Sequence, residues 1–168
     1  TITSWCYQHM FEGCTALTEV PELPAITLAE GCYSNMFRGC SSLAKAPALP
    51  ATTLANYCYQ SMFDGGCTSL VTAPALPATT MKEHSCEFMF QSCTSLTTAP
   101  ELPATTLAPY CYQYMFNGCT SLEASVDFIS AGTLYEYCCF SMFSNCSSLK
   151  TAAQIIATTG KQYCCTKT

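Results

Sequence analysis

Met36-Phe37-Arg38-Gly39-Cys40-Ser41-Ser42-Leu43 is one of six copies of a phrase that recurs from Met10-Phe11 to Met142-Phe143. A fixed period of roughly 20 to 50 residues is the sequence mark of a repeat architecture. When each copy is begun at the Thr before an apolar residue, the starts fall at Thr1, Thr27, Thr53, Thr80, Thr106, Thr133 and Thr159, in steps of 26 or 27 residues. Residues 1–168 therefore read as one array, with 159–168 a partial copy.

Each start has the form of a helix N-cap. Thr27/Glu30, Thr80/Glu83, Thr133/Glu136 and Thr159/Gln162 fit the capping box, in which Thr and an acidic or amide residue three positions on satisfy each other's backbone amides. Leu28, Cys32 and Met36 then fall at i, i+4 and i+8, an apolar stripe, and Gly39 is placed to end the helix. Short helices are expected from about Leu28, Leu54, Met81, Leu107 and Leu134. Cys-x-x-Leu follows, then a short run such as Thr97-Thr98-Ala99, then Pro-x-Leu-Pro, whose prolines at 21, 47, 74 and 100 stop any strand early. A brief strand, a turn and a helix cannot bury an apolar face alone, but stacked neighbours can. The expected fold is an α/β repeat solenoid, leucine-rich-repeat-like, with short parallel strands on a concave face and short helices on a convex one. Phe37, Phe63, Phe90 and Phe116 would form one buried column, and Leu43, Leu70, Leu96 and Leu122 another.

The repeat is not uniform. Gly65-Gly66 adds a residue, Glu123 to Thr133 carries one more, and Val126-Asp127-Phe128-Ile129 stands where other copies have Pro-x-Leu-Pro. Ser85 and Cys86 occupy the places of Cys58 and Tyr59. Such tolerance belongs to a scaffold more than to a reaction centre.

The unit Met-Phe-x-Gly-Cys-x-x-Leu-x-x-Ala-Pro-x-Leu-Pro resembles the BspA-like leucine-rich repeats of bacterial surface proteins over nearly the whole chain. Phe11, Phe37, Phe63, Phe90, Phe116 and Phe143 match that family's Phe, and Cys14, Cys40, Cys67, Cys93, Cys119 and Cys146 its Cys. The departures are Met in place of Ala, about three extra residues per repeat, and a second cysteine series. The resemblance implies an extracellular or cell-surface adhesion or binding role; fold by itself does not fix function.

Charged residues make up 10% of the chain, against roughly 25% in an ordinary soluble domain. A net charge of −5 with 6 Lys+Arg leaves no basic face for nucleic acid or for an anionic membrane. No apolar run is long enough to insert into a bilayer, and the first residues lack the pattern of a signal peptide. Fifteen cysteines is near the density of a secreted disulfide scaffold, and the odd count leaves at least one unpaired within the chain. Within a helix, however, Cys32 and Cys40 would stand about 12 Å apart, beyond the roughly 7 Å reach of a bridge. Buried thiols stacked from copy to copy are the plainer reading. Cys139 and Cys165 are singled out, because both replace the Tyr of Cys32-Tyr33 in adjacent copies, and a disulfide between them would staple the C-terminal end.

No Cys-x-x-Cys occurs, and His9 and His84 lie in different copies without ligand-spaced partners, so no metal and no cofactor is indicated. There is no GxSxG, phosphate loop or carboxylate pair beside a base, and no enzyme is expected. Asn145-Cys146-Ser147 fits a glycosylation sequon, but its Cys is a core position. Two functions remain. One is a binding module whose concave face, carrying Glu19, Lys45, Thr72 and Thr98, contacts a protein or glycan on a neighbouring surface. The other is a fibre or stalk element whose copies join end to end, since neither Thr1 nor Thr168 is flanked by a polar capping repeat. Threonine pairs such as Thr52-Thr53 and Thr79-Thr80 suggest ice binding more weakly, because helix capping already accounts for them.

Overall fold

Between Ala29 and Cys40 the backbone turns every four residues: Gly31, Asn35 and Gly39 all have positive φ, at 56°, 55° and 72°. The computed structural model describes residues 2–125, 128–151 and 154–165, and the same rhythm returns throughout them, as at Tyr57, Ser61 and Gly65 or at His84, Phe88 and Ser92. Thr1, residues 126–127 of the irregular segment and the last three residues of the partial copy lie outside the described residues.

This geometry overturns the expected α/β class. Among the described residues there is no helix, and the helices expected from Leu28, Leu54, Met81, Leu107 and Leu134 are replaced by chains of turns. A helix needs every N–H to bond four residues back along the same segment. Here the amides alternate. Cys32, Ser34, Met36 and Arg38 donate three residues back, closing successive β-turns, while Gly31, Tyr33, Asn35 and Phe37 donate to Asn56, Cys58, Gln60 and Met62 of the next copy at 2.9–3.0 Å. Half of the donors are thus committed between coils. The left-handed residue at every fourth position would break a helix in any case.

The capping boxes fail with the helices. Thr27 pairs in parallel with Thr53 and Thr80 with Thr106, and Thr133 faces Thr159 in the pairing of two strands. These threonines are rungs between coils. The predicted short strands are likewise reduced to single-residue bridges, Lys45↔Thr72↔Thr98↔Ala124↔Thr151, except for one real pair. Strand β1 (Phe128–Leu134) runs parallel to β2 (Gln154–Gly160) with Ile129 opposite Ile155 and Thr133 opposite Thr159.

The core columns stand as read from the sequence. Phe11, Phe37, Phe63, Phe90, Phe116 and Phe143 stack with ring centroids 5.4–5.7 Å apart and planes within 11° of parallel. The four central phenylalanines and Leu43, Leu70, Leu96 and Leu122 are fully buried. Beside each Phe lies a cysteine whose thiol has a fixed partner: Cys40, Cys67, Cys93, Cys119 and Cys146 donate S–H to the carbonyls of Phe11, Phe37, Phe63, Phe90 and Phe116 at 3.1–3.4 Å. The Phe37 carbonyl also takes the Cys40 amide at 3.1 Å, so both of its lone pairs are used. A small apolar residue with one weak donor suits that place.

An outer aromatic file sits at the first left-handed position of each coil. Trp5, Tyr57, His84, Tyr110, Tyr137 and Tyr163 follow one another with centroids 4.6–6.0 Å apart. The one gap is Gly31, over which the Trp5 ring lies; any Cβ there would fall on the ring. Left-handed φ costs a non-glycine residue about 1–2 kcal/mol, and ring stacking returns about 0.5–1.5 kcal/mol per pair.

Candidate functional site

Prolines shape the surface beside the ladder. Between Lys45 and Thr52 the chain contains Pro47 and Pro50, which have no N–H, and among the described residues this stretch makes no backbone bond to the coil on either side. Adjoining coils part there. A trough of about 560 Å³ opens between the first two proline loops, lined by Glu19, Pro21, Glu22, Lys45, Pro47 and Pro50. A second, of about 350 Å³, continues from Lys45 and Pro47 to Thr72, Pro74 and Pro77. Its floor is proline and alanine; its polar groups stand on one rim.

That rim is the ladder. Lys45, Thr72 and Thr98 are brought into one file by parallel bridges, which extend to Ala124 and Thr151, and all five are exposed. Glu19 lies one copy before Lys45, exposed, on the same trough. No ion pair joins Glu19 or Glu22 to Lys45 among the described residues, so their charges face solvent.

Sequence reading missed the file alongside. Val71, Thr97, Glu123 and Lys150 precede the ladder residues, and Thr97, Glu123 and Lys150 each donate a backbone N–H one coil back at 3.1–3.2 Å. Lys150 Nζ meets Glu123 Oε2 at 2.7 Å, which lowers the Glu123 carboxyl below its ordinary range by hydrogen bonding and charge. Val71 is 45% exposed, an apolar position at the end of the file away from these charges. The signal was available: each of these residues precedes its ladder partner by one in every copy.

The other polar groups are structural. His84 Nδ1 meets Glu87 Oε2 at 2.7 Å, and Gln60 Nε2 donates to the same oxygen at 2.8 Å, so the buried Glu87 carboxylate is satisfied. Glu12, Arg38 and Asp64 form a chain of ion pairs across three coils, with His9 also on Glu12. Burial raises the Asp64 carboxyl in spite of Arg38. No cluster of three His, Cys, Asp or Glu among the described residues is arranged to hold a metal ion. Asn145 carries positive φ at the third left-handed position of its coil. Cys139 is buried, Cys165 is half-buried, and both are free thiols.

No protein-family profile matches the chain, and no curated protein matches it. Among solved structures it is similar to the leucine-rich repeat protein TpLRR of T. pallidum, with 17% identity and a TM-score of 0.52 over 91% of this chain and 64% of that one. A leucine-rich repeat protein from Bacteroides ovatus aligns with 19% identity and a TM-score of 0.42 over 92% of this chain and 42% of its own. The first likeness is one of fold: a stacked, leucine-rich-repeat-like path, here without helices. The chain spans under two thirds of that neighbour's length.

Proposed function

We propose that the chain is a non-enzymatic interaction module, of the BspA-like kind its motif resembles, that holds a protein or glycan partner against the Glu19–Lys45–Thr72–Thr98 file at an extracellular or cell surface. One observation carries this. The inward positions repeat almost unchanged from coil to coil, as Met-Phe and Cys-x-x-Leu, whereas the ladder reads Glu, Lys, Thr, Thr, Ala, Thr on an exposed rim beside a preformed trough. A scaffold that varies most where it meets solvent is built to present side chains.

The test is selection of binders from a displayed peptide library and from an immobilised oligosaccharide array, followed by substitution. Lys45→Ala and Thr72→Ala should each weaken the selected binders at least tenfold, about 1.4 kcal/mol, while Thr105→Ala, exposed away from the trough, should not. Binders indifferent to both ladder variants would remove the reading. The fibre alternative has one feature in its favour: Met10 and Ile26 are 56% and 64% exposed around an apolar hollow of about 710 Å³ that also includes Tyr7 and Phe11. Light scattering over a concentration series separates the two, since a monodisperse monomer at high concentration excludes end-to-end assembly.

A further inference from the structure

We propose that Cys139 and Cys165 form a cross-linking site whose co-substrate is a low-molecular-weight disulfide, closing a bridge between the sixth coil and the terminal segment. Their environment differs from that of the regular cysteines. In the Phe-linked series each thiol donates to a carbonyl of the previous coil, and Cys58 and Cys111 point at carbonyls of the next, Ser85 and Cys138, at 4.0 and 3.8 Å. Cys138 follows the second pattern, but the residue after it is Cys139 and its equivalent in the terminal segment is Cys165, where the regular copies have Tyr33, Tyr59 and Tyr112.

The backbone supplies the reach. The Cys139 amide donates to the Cys164 carbonyl at 2.9 Å, and Cys138 Sγ lies 3.9 Å from that same oxygen. Cys139 and Cys165 are therefore equivalent positions on paired coils, a separation of about 5 Å in a parallel ladder, inside the roughly 4.4–6.8 Å range a disulfide spans. Access differs between the two sulfurs, for Cys165 is half-buried and Cys139 is 5% exposed. The neighbouring thiols of Cys139 and Cys165 hold the Cys138 thiol below its ordinary range, while Cys138 pushes both Cys139 and Cys165 above theirs. Cys138 is fully buried, so the half-buried Cys165 is the sulfur an external disulfide reaches.

The chemistry is thiol–disulfide exchange in two steps. Cys165 loses its proton to solvent and attacks one sulfur of the incoming disulfide; that S–S bond breaks, and half of the reagent leaves as a thiolate and is protonated. Cys139 then attacks Cys165 Sγ, its proton passing to the departing second half. Two protein S–H bonds and one external S–S bond become one protein S–S bond and two external S–H bonds, so the protein is oxidised and the reagent reduced.

The reduced chain is incubated with oxidised glutathione, quenched in acid and mapped without reduction. Expected are the loss of the free thiols of Cys139 and Cys165, read apart from any glutathione adducts on the exposed Cys6 and Cys14, a linked Cys139–Cys165 peptide pair and a raised melting temperature. Cys165→Ser abolishes all three, and Cys164→Ser and Cys138→Ala leave them. Cys139 and Cys165 thiols that stay free, a glutathione adduct that persists on Cys165, or a linked peptide joining either residue to another cysteine overturns the proposal.

Discussion

In coils two to four the return segment carries Pro47 and Pro50, Pro74 and Pro77, and Pro100 and Pro103, and neighbouring coils touch there through single rungs such as Thr27↔Thr53 and Thr80↔Thr106. In coils five and six the same segment has no proline, and β1 pairs with β2 in register from Phe128 to Leu134. The turn-built wall and the Phe column run unbroken through both regions. The difference shows what proline does in a stacked fold: by removing donors it holds coils apart locally and opens a trough, and where it is missing the ladder closes. β2 is exposed along its whole length, with Ile156 at 56%.

Alkaline pH should break both regions and has the largest expected effect. Burial raises the thiols of Cys32 and Cys146 to about 11 and those of Cys58, Cys67 and Cys119 to about 12. An unfolded thiol ionises near 8.5, at about the ordinary value. The folded chain therefore keeps protons that the unfolded chain has released. Stability present below about pH 8.5 is lost as pH climbs toward the folded values, by about 1.4 kcal/mol per pH unit for each such thiol. Urea midpoints in reducing buffer at pH 7.5 and pH 10 measure it; equal midpoints would show that the cysteines are not held in the core.

Next in size is the column shared by both regions. Phe90 is fully buried between Phe63 and Phe116 with centroids 5.5 Å from each, so Phe90→Ala should cost about 3–5 kcal/mol. Because the column continues to Phe143, the loss should appear in a single transition for the whole stack. Two separated transitions would mean that the proline coils and the strand-paired coils fold independently.

What could be read from the sequence was whatever recurs once per copy. Phe37, Phe63, Phe90 and Phe116, the leucine column and the Lys45–Thr72–Thr98 file all follow from the period, since equivalent residues in a stack must touch. The path within a copy was not legible. Leu28, Cys32 and Met36 fit a 3.6-residue helix and a four-residue turn equally well over so short a span, and the Thr–Glu pairs imitated caps. The distinguishing mark, Gly31-x-x-x-Asn35-x-x-x-Gly39, is clear in coil two. In coil four the same left-handed places hold His84, Phe88 and Ser92, of which intrinsic preference would nominate only the histidine. The trough was hidden for another reason. Proline announces a missing donor, but the gap it leaves is a property of two coils together.

Ile155→Pro probes the strand-paired side directly. The side chain is exposed, so little packing is lost, but a ladder position opposite Ile129, on the same alternation as the Lys161 N–H that donates to Leu134, can no longer donate. A local loss of about 1–3 kcal/mol is expected, visible as faster amide exchange across β1 and β2 with coils two to four unchanged. Exchange that stays slow would indicate that the pairing does not depend on that bond.

The smallest effect, and the sharpest test of the comparison, is the reverse change. Pro50 is exposed beside the trough, and Pro50→Ala keeps an accessible φ while restoring an N–H. Two terms then oppose each other. Greater freedom of the unfolded chain should cost about 0.4–1 kcal/mol, and a new rung to the neighbouring coil would return about 0.5–1.5 kcal/mol. If missing donors alone hold the coils apart, combining Pro47→Ala with Pro50→Ala should leave stability within about 1 kcal/mol of the parent while protecting amides along 46–51 and narrowing the trough. Ala48 and Leu49 have their own N–H groups yet make no inter-coil bond, so the fixed proline φ on either side is expected to act together with the missing donors, and the double variant releases both. Amides that remain unprotected in the double variant would refute this, and would assign the gap to the packing of Leu49, which is buried beneath it.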